Sequence, residues 1–148
     1  MKALALSAIL FAAAGPALAG TIVVTDAWSP AAPPAAPIHA AFLTLTNRGD
    51  QTRALIAVSA AGYAMAHMHE SRMSGGVMTM TAVHQLDVPA GATITFQPGG
   101  LHVMLMSPQG TRKPGDLVSL SLEFANGETV PVTATVHKAK MHTAHGGS

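Results

Sequence analysis

Beyond the first twenty residues, apolar positions recur with a period of two rather than 3.6, in short β-branched segments separated by Gly, Pro, Asn and Asp. The sharpest case is Val118, Leu120, Leu122 and Phe124, which alternate with small or polar residues up to Ala125-Asn126-Gly127-Glu128. Val130, Val132, Ala134 and Val136 then alternate on the return. Two such runs about an Asn-Gly predict a β-hairpin. Further strands are predicted over Thr21–Trp28, His39–Thr46, Arg53–Ala60, Ala64–Glu70, Val77–Val83, Thr93–Phe96 and Leu101–Met106, with a turn at Asn47-Arg48-Gly49-Asp50. Ser29–Pro37 contains four of the ten prolines, and each proline removes a ladder donor, so this stretch is expected to be an extended loop. About nine strands and no amphipathic helical period predict an all-β fold, an antiparallel β-sandwich of cupredoxin-like or immunoglobulin-like type.

The first residues read differently. Lys2, an apolar stretch from Ala3 to Ala14, a Gly-Pro break and Ala17-Leu18-Ala19 ahead of Gly20 form the pattern of a secretory signal. The stretch is short for a bilayer span, and Pro16 interrupts its end. The predicted organisation is therefore a signal over residues 1–19 cleaved after Ala19, a β-sandwich over 20–136, and a flexible tail over 137–148. No membrane span is expected after cleavage.

Composition narrows the chemistry. The chain has 148 residues, 49% hydrophobic and 10% charged, enough for one domain with its own core. A net charge of +1 with few aromatic residues supplies neither the basic face nor the stacking surface that nucleic acid needs. The absence of cysteine removes thiol-disulfide exchange and the blue-copper centre, which requires a Cys ligand. Cleavage before Gly20 leaves no N-terminal histidine for copper chemistry. The seven acidic residues are dispersed, and no nucleophile–base pattern stands out, so no enzyme is expected.

What the composition concentrates is methionine and histidine. Seven of the nine methionines lie between Met65 and Met106, interleaved with His67, His69 and His102. An ordinary core scatters methionine among Leu, Ile and Val as a gap filler. Met65, Met68 and Met106 are compatible with that role, whereas Met80 and Met104 are not explained by it. The strand period places His102, Met104 and Met106 on one face, opposite Leu101, Val103 and Leu105. It likewise groups Met65, His67 and His69, and groups Met78 and Met80. A turn over Ser71–Gly76, which holds a Gly-Gly pair, would let the His67/His69 strand pair with the Met78/Met80 strand, bringing cross-strand neighbours within about 5 Å. Imidazole and thioether are neutral soft donors that select Cu(I); zinc prefers thiolate, imidazole or carboxylate, and calcium and magnesium prefer oxygen. Glu70 is the one carboxylate beside the cluster.

His69, ten residues, Met80, twenty-one residues and then His102-Val103-Met104 resemble the H-x10-M-x21-H-x-M signature of the PCuAC family of periplasmic copper chaperones. Gly75-Gly76-Val77-Met78, Val88-Pro89-Ala90-Gly91 and Pro98-Gly99-Gly100 also resemble that family, and the similarity runs from Thr21 to Val136. The resemblance implies a cupredoxin-like sandwich in the periplasm that binds one Cu(I) through His69, Met80, His102 and Met104. It also implies delivery of that copper to the CuA-bearing subunit of cytochrome c oxidase, often together with Sco-type proteins. Where some members carry a methionine after the first histidine, this chain has Glu70, and His67 stands two residues earlier as a competing imidazole. The spacing favours His69. The tail carries His137, Met141, His142 and His145, a tract suited to a second copper, including Cu(II). His39 and His84 stand alone and are assigned no role, and Trp28 and Tyr63 are expected to pack. Two functions remain: a chaperone that passes Cu(I) by ligand exchange, or a periplasmic copper buffer without a delivery partner. A purely structural sandwich whose methionines only pack is the third possibility.

Overall fold

A computed structural model describes residues 21–139; the predicted signal and Met141, His142 and His145 of the tail lie outside them. The described residues form ten strands and no helix: β1 Ile22–Pro30, β2 Ile38–Asn47, β3 Arg53–Ala60, β4 Tyr63–Ser74, β5 Val77–Ala82, β6 Leu86–Val88, β7 Thr93–Thr95, β8 Leu101–Pro108, β9 Leu117–Phe124 and β10 Thr129–His137. Strands run side by side in the order β5-β4-β8-β2-β1-β10-β9-β3-β6, with β7 also pairing β2. β2 joins the two halves of the sandwich. Its start, Ile38–Ala41, pairs with β8, while Thr44–Thr46 pairs with β7.

The expected alternation is realised. Val118, Leu120, Leu122 and Phe124 of β9 face inward with Val132, Ala134 and Val136 of β10, and Asn126 Oδ1 accepts the Glu128 amide at 3.1 Å in the turn between them. Ala41, Leu43 and Leu45 of β2 join Ala66 and Met68 of β4 and Val103 and Leu105 of β8 in the same cluster. Burying each large apolar side chain contributes about 1.5–3 kcal/mol, so this inward row is what holds the halves together.

Three differences from the sequence reading have physical causes. β1 runs parallel to β10, with Trp28 opposite Thr135, so the sheet is mixed rather than wholly antiparallel. A strand at each end of the domain can pair in either sense, because no short turn fixes their direction. β1 also continues two residues into the predicted loop: Ser29 is buried and its hydroxyl donates to the Ala40 carbonyl at 2.6 Å. Finally, β6 is only three residues long and was not predicted. It is held in place by Asn47, whose buried Nδ2 donates to the Val88 and Gln51 carbonyls at 2.9 and 2.8 Å.

His39 is buried at the start of β2 with Nδ1 2.9 Å from the Tyr63 hydroxyl, and the Arg112 guanidinium lies over the Tyr63 ring at 5.4 Å. Burial first, and the Arg112 charge second, lower its pKa from the ordinary 6.5. The folded chain thus takes up the proton less readily than the unfolded chain. Stability tied to His39 is present above about pH 6.5 and is lost as the pH falls below that value. Urea midpoints at pH 7.5 and 5.5 are expected to fall less in His39→Asn than in the native chain. An identical fall in both would remove His39 from the account.

Candidate metal centre

Alternation along β4 puts Met65, His67, His69, Ser71 and Met73 on one face and Ala66 and Met68 on the other, where both are buried. The neighbouring strands complete that first face. On β8, Met106 lies opposite Met65, Met104 opposite His67, and His102 opposite His69. On β5, Met80 lies opposite Ser71 and Met78 opposite Met73. His69 thus has His102 directly across, Met104 on one diagonal and Met80 on the other, all within reach of long side chains. All four residues of the sequence motif share one side of the sheet.

Two turns fix this register. Gly75 and Gly76 sit at φ 58° and 78°, the left-handed pair of a two-residue hairpin, which sets Ser74 against Val77. Before β8, Gln97-Pro98-Gly99-Gly100 closes with the Gly100 amide donating to the Gln97 carbonyl at 3.0 Å and Gly99 at φ 81°. Proline second and a left-handed glycine third mark a type II turn. The Gly100 carbonyl this turn presents accepts the Ser71 amide at 3.1 Å and His102 Nδ1 at 3.0 Å. A carbonyl can only accept, so His102 Nδ1 carries the hydrogen and Nε2 keeps its lone pair for a ligand role.

His102 is 8% exposed, and its ring stacks on that of His69 with centroids 5.9 Å apart and planes 21° apart. His69 Nδ1 is buried with no hydrogen-bond partner among the described residues. An unpartnered buried nitrogen costs about 1–3 kcal/mol, a cost that coordination would offset. Met104 is half-buried, while Met80, on the edge strand β5, is 53% exposed. Glu70 points to the other side and pairs with Arg72 at 2.8 Å, so the His/Met face has no carboxylate from β4. Among the described residues no three His, Cys, Asp or Glu groups come together. His67, His69 and His102 therefore form no three-histidine site, and any ion held here draws on sulfur. Two imidazoles and two thioethers form a neutral, soft donor set suited to a monovalent soft ion.

Other candidates fall elsewhere. His67 is exposed on the same face, one rung from His69. His137 is exposed at the end of β10 and stacks on Trp28 at 5.8 Å, with β1 and β2 between its strand and β8. Met68 is core, whereas Met65 and Met106 lie on the donor face. His84, assigned no role from sequence, follows the end of β5. The Val83 amide donates to the Met68 carbonyl at 2.9 Å, which carries the β4–β5 ladder past Ala82 and sets His84 beside His67. Only the strand register reveals that neighbour, because sixteen residues and a hairpin separate the two.

The two kinds of methionine should separate in stability measurements. Met68→Ala opens a core cavity and is expected to cost about 2–5 kcal/mol in urea unfolding. Met80→Ala on the exposed edge should stay within about 0.5 kcal/mol of the native chain. Equal losses would show that Met80 is a packing residue.

Comparison with known proteins agrees with this architecture. A family model described as "Putative lipoprotein LpqE-like" matches residues 22–136. The "Putative lipoprotein Lxx21020" of Leifsonia xyli subsp. xyli is 32% identical over 116 residues, 78% of this chain and 69% of that protein. The solution structure of CuI-DR1885 from Deinococcus radiodurans is 36% identical, covers 78% of this chain and 77% of that one, and superposes with a TM-score of 0.63. The copper-bound PCuAC domain from PmoF2 shares the fold at a TM-score of 0.68 and 21% identity, covering 80% of this chain and 94% of that domain. With the family model spanning the whole described sandwich, the chain belongs to the LpqE-like family and has the fold of the PCuAC domains.

Proposed function

We propose that this protein is an exported copper chaperone that holds one Cu(I) through His69, Met80, His102 and Met104 and passes it on by ligand exchange. The observation that carries the reading is the register that sets His69 against His102, with Met104 and Met80 on its two diagonals. The DR1885 structure, a 36% identical relative solved as its CuI form, supports copper as the ion. The lipoprotein naming of the family and the signal-like first nineteen residues support export to the periplasm.

The exposure gradient suggests how release proceeds. The two histidines are the sheltered donors, and His102 is preorganised by the Gly100 carbonyl. Met80 stands at the open edge, where an incoming soft ligand can displace a neutral thioether without separating charge. Copper stays Cu(I) throughout, so no electron donor or acceptor is required. A recipient offering thiolates would bind the ion more strongly than thioethers and draw it off; the CuA-bearing subunit of cytochrome c oxidase and Sco-type proteins are the recipients proposed. Delivery to that oxidase is part of the proposal, as is Cu(II) binding by His137, Met141, His142 and His145.

Anaerobic competition for Cu(I) against a chromophoric chelator tests the centre. One tight equivalent is expected, lost in Met80→Ala/Met104→Ala and retained when the chain is cut after Val136. Binding that disappears only with the tail would overturn the centre. Delivery is tested in copper-starved cells lacking the protein, where oxidase activity should fall and recover on adding copper. Normal oxidase with raised copper sensitivity would instead identify a buffer.

A further inference from the structure

We propose that this chain carries a second, weaker Cu(I) site one rung along β4 from the first, built from His67 and His84 with the sulfurs of Met65 and Met106. It rests on the reading of the face as a copper surface, and adds a position that the four-residue motif does not include. Met65 is directly opposite Met106, and His67 directly opposite Met104. The ladder bond from the Val83 amide to the Met68 carbonyl brings His84 to the other flank of His67. Met65, His67, His84, Met104 and Met106 border one open depression of about 360 Å³, and none of its lining residues is charged.

The donors repeat those of the first centre, two imidazoles and two thioethers, displaced by two residues along the strand. That displacement corresponds to about 7 Å. Met104 lies between the two sets, opposite His67 and diagonal to His69, so its sulfur can remain bound while the other ligands change. Copper would then move between rungs by exchanging neutral ligands one at a time, without release to water or change of oxidation state. His67, His84 and Met65 are exposed, whereas His102 is sheltered and held by a carbonyl. The outer set therefore loses more side-chain freedom on closing around an ion, which makes it the weaker of the two.

Anaerobic Cu(I) titration of the full chain against chelators of graded strength separates the two rungs. His67→Ala/His84→Ala is compared with His69→Ala/Met80→Ala and the native protein, with the tail common to all three. The native chain is expected to load one equivalent more than His67→Ala/His84→Ala, whose tight equivalent is unchanged. His69→Ala/Met80→Ala should lose the tight equivalent and keep the weak one. Both substituted histidines of the outer pair are exposed, and equal melting temperatures would show that the fold is kept. Equal loading of the native chain and His67→Ala/His84→Ala at every chelator strength would overturn the second site. Loss of the tight equivalent from His67→Ala/His84→Ala, with its retention in His69→Ala/Met80→Ala, would overturn the first centre instead and make the outer cluster the copper site.

Discussion

Everything the donor face can do depends on the antiparallel register of β4 against β8. His69 meets His102 and His67 meets Met104 because, on alternate rungs, Met68 meets Val103 and Ala66 meets Leu105 in the core. A slip of one residue would turn every side chain of β4 over, placing imidazoles in the interior and Met68 and Ala66 in water. Met68, Val103 and Leu105 each contribute about 1.5–3 kcal/mol through burial, so the packing energy of one face specifies the chemistry of the other. The Gly100 carbonyl locks the end of this ladder by accepting from Ser71 on β4 and His102 on β8 at once. A single oxygen thus ties strand pairing to the tautomer of a candidate ligand.

The methionines divide according to the same rule. Met68 has the parity of the core and is buried, while Met65, Met73, Met78 and Met80 have the parity of the open face and are exposed. Exposed methionine gains nothing from burial and is prone to oxidation, so a row of four needs a reason beyond packing. A neutral soft donor supplies one. In the proposed centre it would hold a monovalent ion without the desolvation cost of a carboxylate, and it lacks the thiol that an oxidising compartment consumes. Glu70, turned away to Arg72, keeps that neutrality.

Much of this was legible in the sequence, for identifiable reasons. Alternation over Leu101–Met106 marks the inward and outward rows, Asn126-Gly127 marks the C-terminal hairpin, and the Gly-Gly pair marks the reversal between β4 and β5, although β4 runs on to Ser74 through most of the expected Ser71–Gly76 turn because Ser71–Ser74 pair with β5. Each signal is local, carried by period or by backbone requirements within a few residues. What was not legible is non-local. The parallel pairing of β1 with β10 joins the two ends of the domain, and β6 is too short to show a period. His84 next to His67 depends on a ladder that continues beyond the end of a strand. Met65 and Met106 share a face with the candidate ligands by period alone, but that they stand opposite each other is known only from the strand register.

Met80 brings fold and chemistry into opposition. β5 is an edge strand with all six residues exposed, and such edges invite pairing with other chains. Natural sheets blunt their edges with charge, proline or bulges, but β5 reads Val77-Met78-Thr79-Met80-Thr81-Ala82 and has none of them. Its protection is its shortness. A lysine or glutamate would guard the edge better, yet would place a charge beside the donors and either repel the ion or bind it too firmly for exchange. Burying β5 under another strand would protect it too, but would close off the side from which an incoming ligand reaches Met80. If Met80 is the displaceable ligand of the proposed centre, the place where the sheet ends suits it, and the unguarded edge is consistent with that role.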